Sequence, residues 1–248
     1  MSNIIEVRNL KKVYNPKRNP VEALRGISFE VRKGEIFGLL GVNGAGKSTT
    51  LNILVGLLTP TSGQIVVFDK DFIAHEEEIK QKMNIATAYA DLASNLTVYR
   101  NLKVYAMMYN VTKYDEMIES LLKIFGIAHL RNKWFGDLSA GEKTRVNLCK
   151  SLINEPELLL LDEPTASLDP SIAAHVRELL VEYQKKKNLT VILTSHNMAE
   201  VEQMCNRVAF LHHGKIYMVD SPRKIAHAHK EPGLERIFIK LARGEYEE

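Results

Sequence analysis

The segment at residues 41–48 carries the residue types that bind a nucleotide phosphate. It reads Gly-Val-Asn-Gly-Ala-Gly-Lys-Ser, fits the spacing G-x-x-x-x-G-K-[ST], and lies between a predicted strand and a predicted helix. Glycines allow backbone N–H groups to close around a phosphate, and the start of the helix adds partial positive charge. An incidental glycine turn is the alternative, but the flanking strand and helix disfavour it. The predicted nucleotide contacts are Gly41, Asn43, Gly44, Ala45, Gly46, Lys47, Ser48 and Thr49.

Metal and base chemistry requires a second set of side chains. The Lys47 ammonium would reach the β- and γ-phosphates, and the Ser48 hydroxyl would bind Mg²⁺. Four leucines at residues 158–161 form an apolar strand that delivers Asp162 and Glu163 at its end. Asp162 suits the metal, and Glu163 could orient and deprotonate an attacking water. Alone, such a pair is typical of a strand that ends in solvent, but the phosphate loop favours a site for ATP and Mg²⁺.

The hydrophobic pattern around these motifs alternates between strand and helix. It predicts strands at 4–10, 23–31, 35–40, 63–68, 85–89, 158–161 and 189–194, helices at 47–57, 170–187, 197–205 and 233–242, a helical stretch at 98–152, and a hairpin turn at His213-Gly214. Such alternation favours a mainly parallel sheet covered on both faces. The predicted class is α/β, a P-loop NTPase core with N-terminal antiparallel β strands and an inserted α-helical subdomain. A single domain spans 1–248, with its core at about 1–90 and 157–248 and the helical subdomain at about 91–156.

The composition excludes several classes of protein. Hydrophobic residues make up 45% of the 248 residues and charged residues 25%, as in soluble globular proteins. No apolar run approaches the roughly 20 residues of a membrane-spanning helix, and the first residues do not resemble a signal peptide. We therefore expect a soluble chain that reaches a membrane only through a partner. A net charge of +3 does not indicate nucleic acid. Cys149 and Cys205 lack disulfide or metal spacing, which fits a reducing cytoplasm.

The segment at residues 138–142, Leu-Ser-Ala-Gly-Glu, precedes a predicted helix and lies shortly before the carboxylate strand. Alone, Ser139 and Glu142 would form a capping box at a helix start. The segment also resembles the signature Leu-Ser-Gly-Gly-Gln of ATP-binding cassette (ABC) ATPases. The two interpretations are compatible, because a helix start offers free N–H groups to a phosphate. The resemblance covers essentially the whole chain with the motifs in the family's order. The N-terminal half of the chain, from Ile4 to Phe68, looks most like export-type, multidrug-exporter-like domains.

Further positions take their roles from this resemblance alone. Tyr14 matches the aromatic residue that stacks on adenine. Residues 167–169, Ser-Leu-Asp, match the loop that crosses to the opposite subunit, and His196 matches the switch histidine that contacts the γ-phosphate. The resemblance thus implies nucleotide contacts at Tyr14, Ser139, Gly141 and Asp169, and catalytic roles for Glu163 and His196.

The resemblance also implies how the protein would work. Two cassettes, as a homodimer or a heterodimer, would face head to tail, with each ATP between one phosphate loop and the opposite signature. ATP would join the subunits, and hydrolysis would separate them. The expected partners are separate transmembrane permease subunits that hold the chain at the inner face of the cell membrane, with export as the expected direction. A soluble mechanical ATPase and a binding-only regulatory cassette are the alternatives.

The chain departs from the family pattern in two motifs. Residues 86–92 contain no glutamine where the family has one that links the metal site to the partner. Gln81 lies too early, and Asp91 is a possible substitute ligand. In the signature, Ala140 replaces a glycine and restricts φ, while Glu142 replaces a glutamine and adds negative charge. These departures predict hydrolysis that is slow or strongly dependent on a partner.

Overall fold

The computed structural model describes residues 2–87, 91–166, 168–243 and 245. The strands are β1 (Asn3–Tyr14), β2 (Val21–Arg32), β3 (Ile36–Leu40), β4 (Ser62–Val67), β5 (Lys70–Asp71), β6 (Met83–Thr87), β7 (Leu158–Asp162), β8 (Thr190–Thr194), β9 (Arg207–His212) and β10 (Lys215–Asp220). The helices are α1 (Lys47–Leu54), α2 (Glu76–Gln81), α3 (Val98–Met108), α4 (Tyr114–Ile124), α5 (Ala140–Ser151), α6 (Pro170–Lys187), α7 (Met198–Met204), α8 (Pro222–Ala228) and α9 (Leu234–Ala242). The chain divides into two compact units, Met1–Ile79 with Thr190–Glu248, and Lys80–Leu189.

The first unit holds an antiparallel sheet with the strand order β2-β1-β4-β5 and a second set of strands in the order β10-β9-β3-β8. β3 lies parallel to β8 and to β9, whereas β10 is antiparallel to β9. Every residue of β3 and β8 is buried. Burial on both faces explains why these strands are almost continuous apolar runs, as predicted for a parallel sheet.

β9 and β10 form the predicted hairpin. His213 and Gly214 have φ values of 44° and 73°. Positive φ at both central residues is the signature of a type I′ turn, whose twist matches that of the flanking strands. The predicted turn is confirmed.

The second unit combines two parallel strands with helices. β6 pairs with β7 in a register that places Met83 opposite Leu158 and Thr87 opposite Asp162. α3, α4 and α5 contact one another, and α5 also contacts β6. The helices bury apolar side chains that include Leu102, Leu122 and Val146. This unit contains the stretch predicted to be helical, and the periodicity of apolar residues follows from the buried face of each helix.

Some predicted boundaries are wrong. α1 ends at Leu54 rather than near Leu57, because Gly56 has φ 71° and the Leu57 N–H donates to the carbonyl oxygen of Asn52 in a helix-ending turn. β1 continues four residues past its predicted end to Tyr14, through register shifts that interrupt the alternation of apolar residues. α2 and α8 were not predicted. The Ser221-Pro222 start of α8 was a usable signal, since serine is the N-cap and proline the first helical residue.

Both cysteines are free and buried. Burial raises the pKa of the Cys149 thiol and of the Cys205 thiol. They pack as small hydrophobic residues.

Within the described residues, no helix is both long enough and apolar enough to cross a bilayer.

Candidate functional site

The phosphate loop connects the carboxyl end of β3 to the amino end of α1, as the motif predicts. Gly46 is the N-cap of α1 and has φ 113°, a conformation that other residues rarely adopt. A Cβ at Gly46 would also lie 2.8 Å from the carbonyl oxygen of Ala23. Gly44 has φ 80°, but apart from its chain neighbours no described atom lies within 4 Å of where its Cβ would be. Packing within the unit therefore requires Gly46, whereas the backbone at Gly44 is open to a ligand.

The Lys47 side chain is held by the loop that precedes it. Its Nζ donates to the carbonyl oxygen of Gly41 at 2.6 Å and to that of Val42 at 3.1 Å. Lys47 is 8% exposed, and these carbonyls offset the cost of burying its charge. The Thr50 hydroxyl donates to the Gly46 carbonyl at 2.9 Å and ties the loop to the first turn of α1. The ammonium group is thus fixed within the loop, where anionic phosphate oxygens would be stronger acceptors than carbonyls.

The remaining loop positions differ in exposure. Asn43 and Ser48 are exposed, and Ala45 is buried. The exposed Ser48 hydroxyl is an oxygen donor of the kind that Mg²⁺ prefers.

Tyr14 ends β1 beside the first turn of α1. Its hydroxyl lies 3.4 Å from the Thr49 hydroxyl, and the Lys12 ammonium lies over its ring at 5.3 Å from the centroid. The residue is 37% exposed. The predicted base-stacking residue therefore lies next to the phosphate loop, with the Lys12 ammonium on one face of its ring.

His196 follows β8, whose carboxyl end lies beside that of β3. Pairs from Ile36–Val191 to Gly38–Leu193 set the two strands parallel. The loop after β3 and the residues after β8 therefore emerge at one edge of the sheet, where parallel α/β proteins bind ligands. His196 is exposed at this edge. The first unit thus brings the predicted switch histidine to the edge that carries the phosphate loop.

Glu200 is a supporting residue that the sequence predictions miss. It is 2% exposed, and its Oε2 accepts a 2.6 Å hydrogen bond from the Ser195 hydroxyl. The Asn197 N–H donates to the same hydroxyl at 3.1 Å, and the Asn197 side chain accepts from the Glu200 N–H at 3.2 Å. These bonds fix the backbone on both sides of His196. An Asn followed three residues later by Glu is a helix-start pattern that could have indicated this turn.

In the second unit, Asp162 and Glu163 lie at the end of β7, whose four leucines are fully buried. Both acidic residues are half-buried, which disfavours the alternative of a strand that simply ends in solvent. Glu163 has φ 51°, a left-handed conformation that is uncommon for a non-glycine residue and costs free energy.

The segment that lacks the expected glutamine follows β6. β6 ends at Thr87, directly opposite Asp162. Residues 88–90 lie outside the described part of the chain. Gln81 ends α2, before β6, and Asp91 is exposed. The role of Asp91 as a substitute ligand remains a prediction.

The signature segment forms the start of α5. Ser139 is the N-cap, its hydroxyl accepts from the Glu142 N–H at 3.3 Å, and the Glu142 carboxylate accepts from the Ser139 N–H at 2.8 Å. The capping box is confirmed. Ala140 is the first helical residue, and alanine readily adopts a helical φ, so the predicted restriction of φ carries no cost in this conformation. A Cβ at Gly141 would meet Leu168 at an ordinary 3.5 Å.

The charge of Glu142 is stabilised locally. The hydrogen bond from the Ser139 backbone N–H is the largest cause that lowers the pKa of Glu142, and the Lys133 ammonium lowers the pKa further. The Lys133 Nζ lies 3.6 Å from Glu142 Oε2. The negative charge that replaces the family's glutamine is therefore paired.

Asp169 is the N-cap of α6. Its carboxylate accepts from the Ile172 N–H at 3.2 Å and from the Ser171 hydroxyl at 2.9 Å, and these bonds lower its pKa. Ser167, at the start of the predicted crossing loop, lies outside the described residues. The cap fixes Asp169 locally, and its contact with an opposite subunit remains a prediction.

Comparisons with known proteins agree with these motifs. The chain matches the family profile described as ABC transporter over residues 24–166, and a profile described as an AAA domain, putative AbiEii toxin, over residues 135–202. A fluoroquinolones export ATP-binding protein of Mycobacterium tuberculosis is 39% identical over 90% of this chain and 72% of its own length. The methionine import ATP-binding protein MetN 1 of Bacillus cereus is 34% identical over 86% of this chain and 63% of its own.

A solved structure supports the same assignment. The structure of cbiO1 from Clostridium perfringens, described as part of the ABC transporter complex cbiONQ, is 30% identical, with a TM-score of 0.80 over 98% of this chain and 97% of that one. The profile covers more than half of the chain, and the Mycobacterium tuberculosis relative is covered over more than two thirds of its length. The chain therefore belongs to the ABC transporter family, as one of its ATP-binding cassettes.

Proposed function

We propose that this chain is the Mg-ATP-hydrolysing subunit that drives an ABC exporter from the cytoplasmic face of the cell membrane. Membership of the ABC transporter family supports the general part of this proposal. ABC cassettes bind and hydrolyse ATP, dimerise, and work with separate transmembrane permeases. The individual residue roles, the metal, the direction of transport and the location are proposals.

The observation that carries the ATP site is the geometry of the phosphate loop. Lys47 is nearly buried, bonded to the Gly41 and Val42 carbonyls, and positioned at the first residue of α1. When ATP binds, its β- and γ-phosphate oxygens would accept from the Lys47 ammonium and from backbone N–H groups of the loop, including the open backbone at Gly44. Tyr14, which is 37% exposed and lies beside Thr49, would stack its ring on the adenine.

The metal site would draw on hard oxygen donors. Ser48 and Asp162 carry a hydroxyl and a carboxylate, the groups that bind Mg²⁺ alongside the phosphates of a nucleotide. The described residues contain no cluster of three or more metal-ligating side chains. Such a cluster is not required, because Mg²⁺ in nucleotide sites keeps several waters and phosphate oxygens as ligands. Bound Mg²⁺ would neutralise the charge that develops on the phosphates.

Hydrolysis would use Glu163 and His196. The Glu163 carboxylate would accept the proton of the attacking water, and His196 would contact the γ-phosphate. The strained backbone at Glu163 and the fixed turn around His196 support these roles, since both side chains need defined positions. Ser139 and Gly141, at the start of α5, and Asp169 would meet the ATP held by a second cassette.

Export is the proposed direction, and a permease is the proposed anchor. Identity to the fluoroquinolones export protein, 39%, exceeds identity to the methionine import protein, 34%. Affinity purification of the tagged chain after mild solubilisation of its native cells is the direct test. Stoichiometric recovery of a multi-span permease would support the proposal, and the cargo of that permease would give the direction. Recovery with soluble assemblies alone would contradict it.

The catalytic role of Glu163 has a separate test. Replacing Glu163 by Gln should lower ATP hydrolysis by about 10²–10⁴-fold and trap a dimer with ATP bound, because the base is lost while the binding groups remain. Glu157→Gln, at an exposed glutamate just before β7, is the matched control and should hydrolyse ATP normally. Turnover by Glu163→Gln at the normal rate would exclude this residue as the base.

A further inference from the structure

The start of α5 carries a carboxylate where the ABC signature carries a neutral amide. In the proposed function, on which this inference rests, this helix start binds the γ-phosphate of an ATP held by a second cassette. A helix N-terminus attracts a phosphate through its N–H groups and its partial positive charge. An uncompensated Glu142 carboxylate at the third helical position would oppose that attraction.

Two groups lie against the Glu142 carboxylate. Glu142 Oε2 accepts the Ser139 N–H at 2.8 Å and lies 3.6 Å from the Lys133 ammonium. The Glu142 side chain is 20% exposed and that of Lys133 is 41% exposed. One oxygen therefore serves both the helix cap and the ion pair, and partial burial of the carboxylate reduces screening by solvent.

Lys133 lies outside α5, in a segment whose backbone is held by hydrogen bonds. Its N–H donates to the Leu130 carbonyl at 2.9 Å, and its carbonyl accepts from the Val98 N–H at 3.0 Å, the first residue of α3. The adjacent Trp134 bridges to Thr97. Because the backbone of Lys133 is already ordered, holding its ammonium group near Glu142 costs less conformational entropy.

Two other cations close to the signature have partners other than Glu142. The Lys143 ammonium lies over the ring of Phe135, 5.4 Å from its centroid. The Arg145 guanidinium donates to the carbonyl oxygens of Gly141 and Phe125 at 3.4 and 3.5 Å. In the described structure, Lys133 is the cation in ion-pair distance of Glu142.

We propose that Lys133 is a positioning residue for the signature of this chain: by pairing with Glu142, it cancels the carboxylate's repulsion of the γ-phosphate while the capping box stays intact. Lys133 itself does not contact ATP. The pair acts in place of the neutral glutamine of the usual signature, and its loss weakens the ATP-dependent contact between cassettes without affecting the phosphate loop.

A double-mutant cycle tests this in full-length chains that also carry Glu163→Gln. Four chains are compared. The reference chain has native residues at positions 133 and 142, two chains carry Lys133→Gln or Glu142→Gln alone, and the fourth carries both changes. The ATP concentration that gives half-maximal dimerisation is measured by light scattering in the presence of Mg²⁺. Lys133→Gln should raise this ATP concentration about three- to tenfold, the effect expected of one unpaired charge near a helix start. Glu142→Gln should not raise it, because glutamine also completes a capping box. The double variant should return to the reference value.

Two controls separate this effect from damage to the fold or to the other site. Binding of a fluorescent ATP analogue to the isolated monomer, which reports the phosphate loop, should be equal in all four chains. Lys123→Gln removes an exposed lysine from the last turn of α4 in the same unit and should leave dimerisation unchanged.

The outcomes are distinguishable. If Lys133→Gln dimerises like the reference chain, or if Glu142→Gln does not rescue it, the compensation is refuted while the proposed function stands. The proposed function, and this inference with it, would be overturned by two results together. The reference chain would fail to dimerise with ATP, and the chain with native Glu163 would fail to hydrolyse ATP in complex with its permease.

Discussion

The Ser195 hydroxyl donates a 2.6 Å hydrogen bond to Oε2 of Glu200, a residue in the first turn of α7 that is only 2% exposed. His196 lies between Ser195 and Asn197, and the Asn197 N–H also donates to the Ser195 hydroxyl. The backbone that carries the proposed switch histidine is therefore tied to a buried carboxylate. Glu200 thus holds the chain on both sides of His196, although Glu200 need not contact the nucleotide.

Glu200→Ala should impair hydrolysis more than nucleotide binding. Loss of the acceptor frees the Ser195 hydroxyl and the turn, so we expect the maximal rate in the permease-assembled protein to fall about tenfold, with a loss of about 1–3 kcal/mol in unfolding free energy. Glu200→Gln keeps an acceptor and should lose less. Steady-state hydrolysis at saturating ATP and urea unfolding measure the two effects.

The matched control is Ala199→Ser, at an exposed position on the same helix. It should change neither quantity. A normal maximal rate in Glu200→Ala would show that the turn does not position His196.

Two glycines of the nucleotide motifs should respond oppositely to alanine. Gly46→Ala places a side chain at φ 113° with its Cβ 2.8 Å from the Ala23 carbonyl oxygen, so we expect a loss of about 2–4 kcal/mol in unfolding free energy. Gly141→Ala lies in the first turn of α5, where its Cβ would contact Leu168 at 3.5 Å, so stability should be equal or slightly higher. Urea unfolding of both variants measures this contrast.

The Gly46→Ala and Gly141→Ala variants also distinguish a glycine that packing requires from a glycine that contacts the nucleotide. Gly141→Ala should still weaken ATP-driven dimerisation, because its methyl group would lie at the proposed phosphate contact. Full dimerisation of this stable variant would remove Gly141 from the proposed nucleotide contacts. A Gly46→Ala chain as stable as the native chain would contradict the strain assigned to that position.

The thiols of Cys149 and Cys205 should be unreactive in the folded chain. Both are buried, and burial raises the pKa of each thiol, so little reactive thiolate exists at pH 8. We expect negligible labelling by a thiol reagent such as DTNB without denaturant, and labelling of both cysteines in urea. Rapid labelling in buffer would show that the structure around at least one of the two cysteines opens locally.

Sequence patterns were most informative where a feature is formed by residues that are consecutive in the chain. The phosphate loop, the capping box of the signature and the His213-Gly214 turn each occupy a few consecutive residues whose types dictate the local backbone. Predictions were less accurate where packing decides. β1 extends to Tyr14 because its register against β2 shifts, and Glu200 became visible only when its burial and its bond to Ser195 were known. The early end of α1, by contrast, is a local feature, the turn at Gly56.

The spacing of residues along the chain was enough to indicate the family and the nucleotide chemistry, and it predicts which residues carry that chemistry. Two relationships became visible only in the folded chain: the phosphate loop and His196 emerge at one edge of a sheet, and Lys133 lies within ion-pair distance of Glu142. Hydrophobic periodicity reports the local path of the chain and which face is buried. It does not report which distant strands pair or which side chains meet, since those contacts arise only when separate elements bury their apolar faces together.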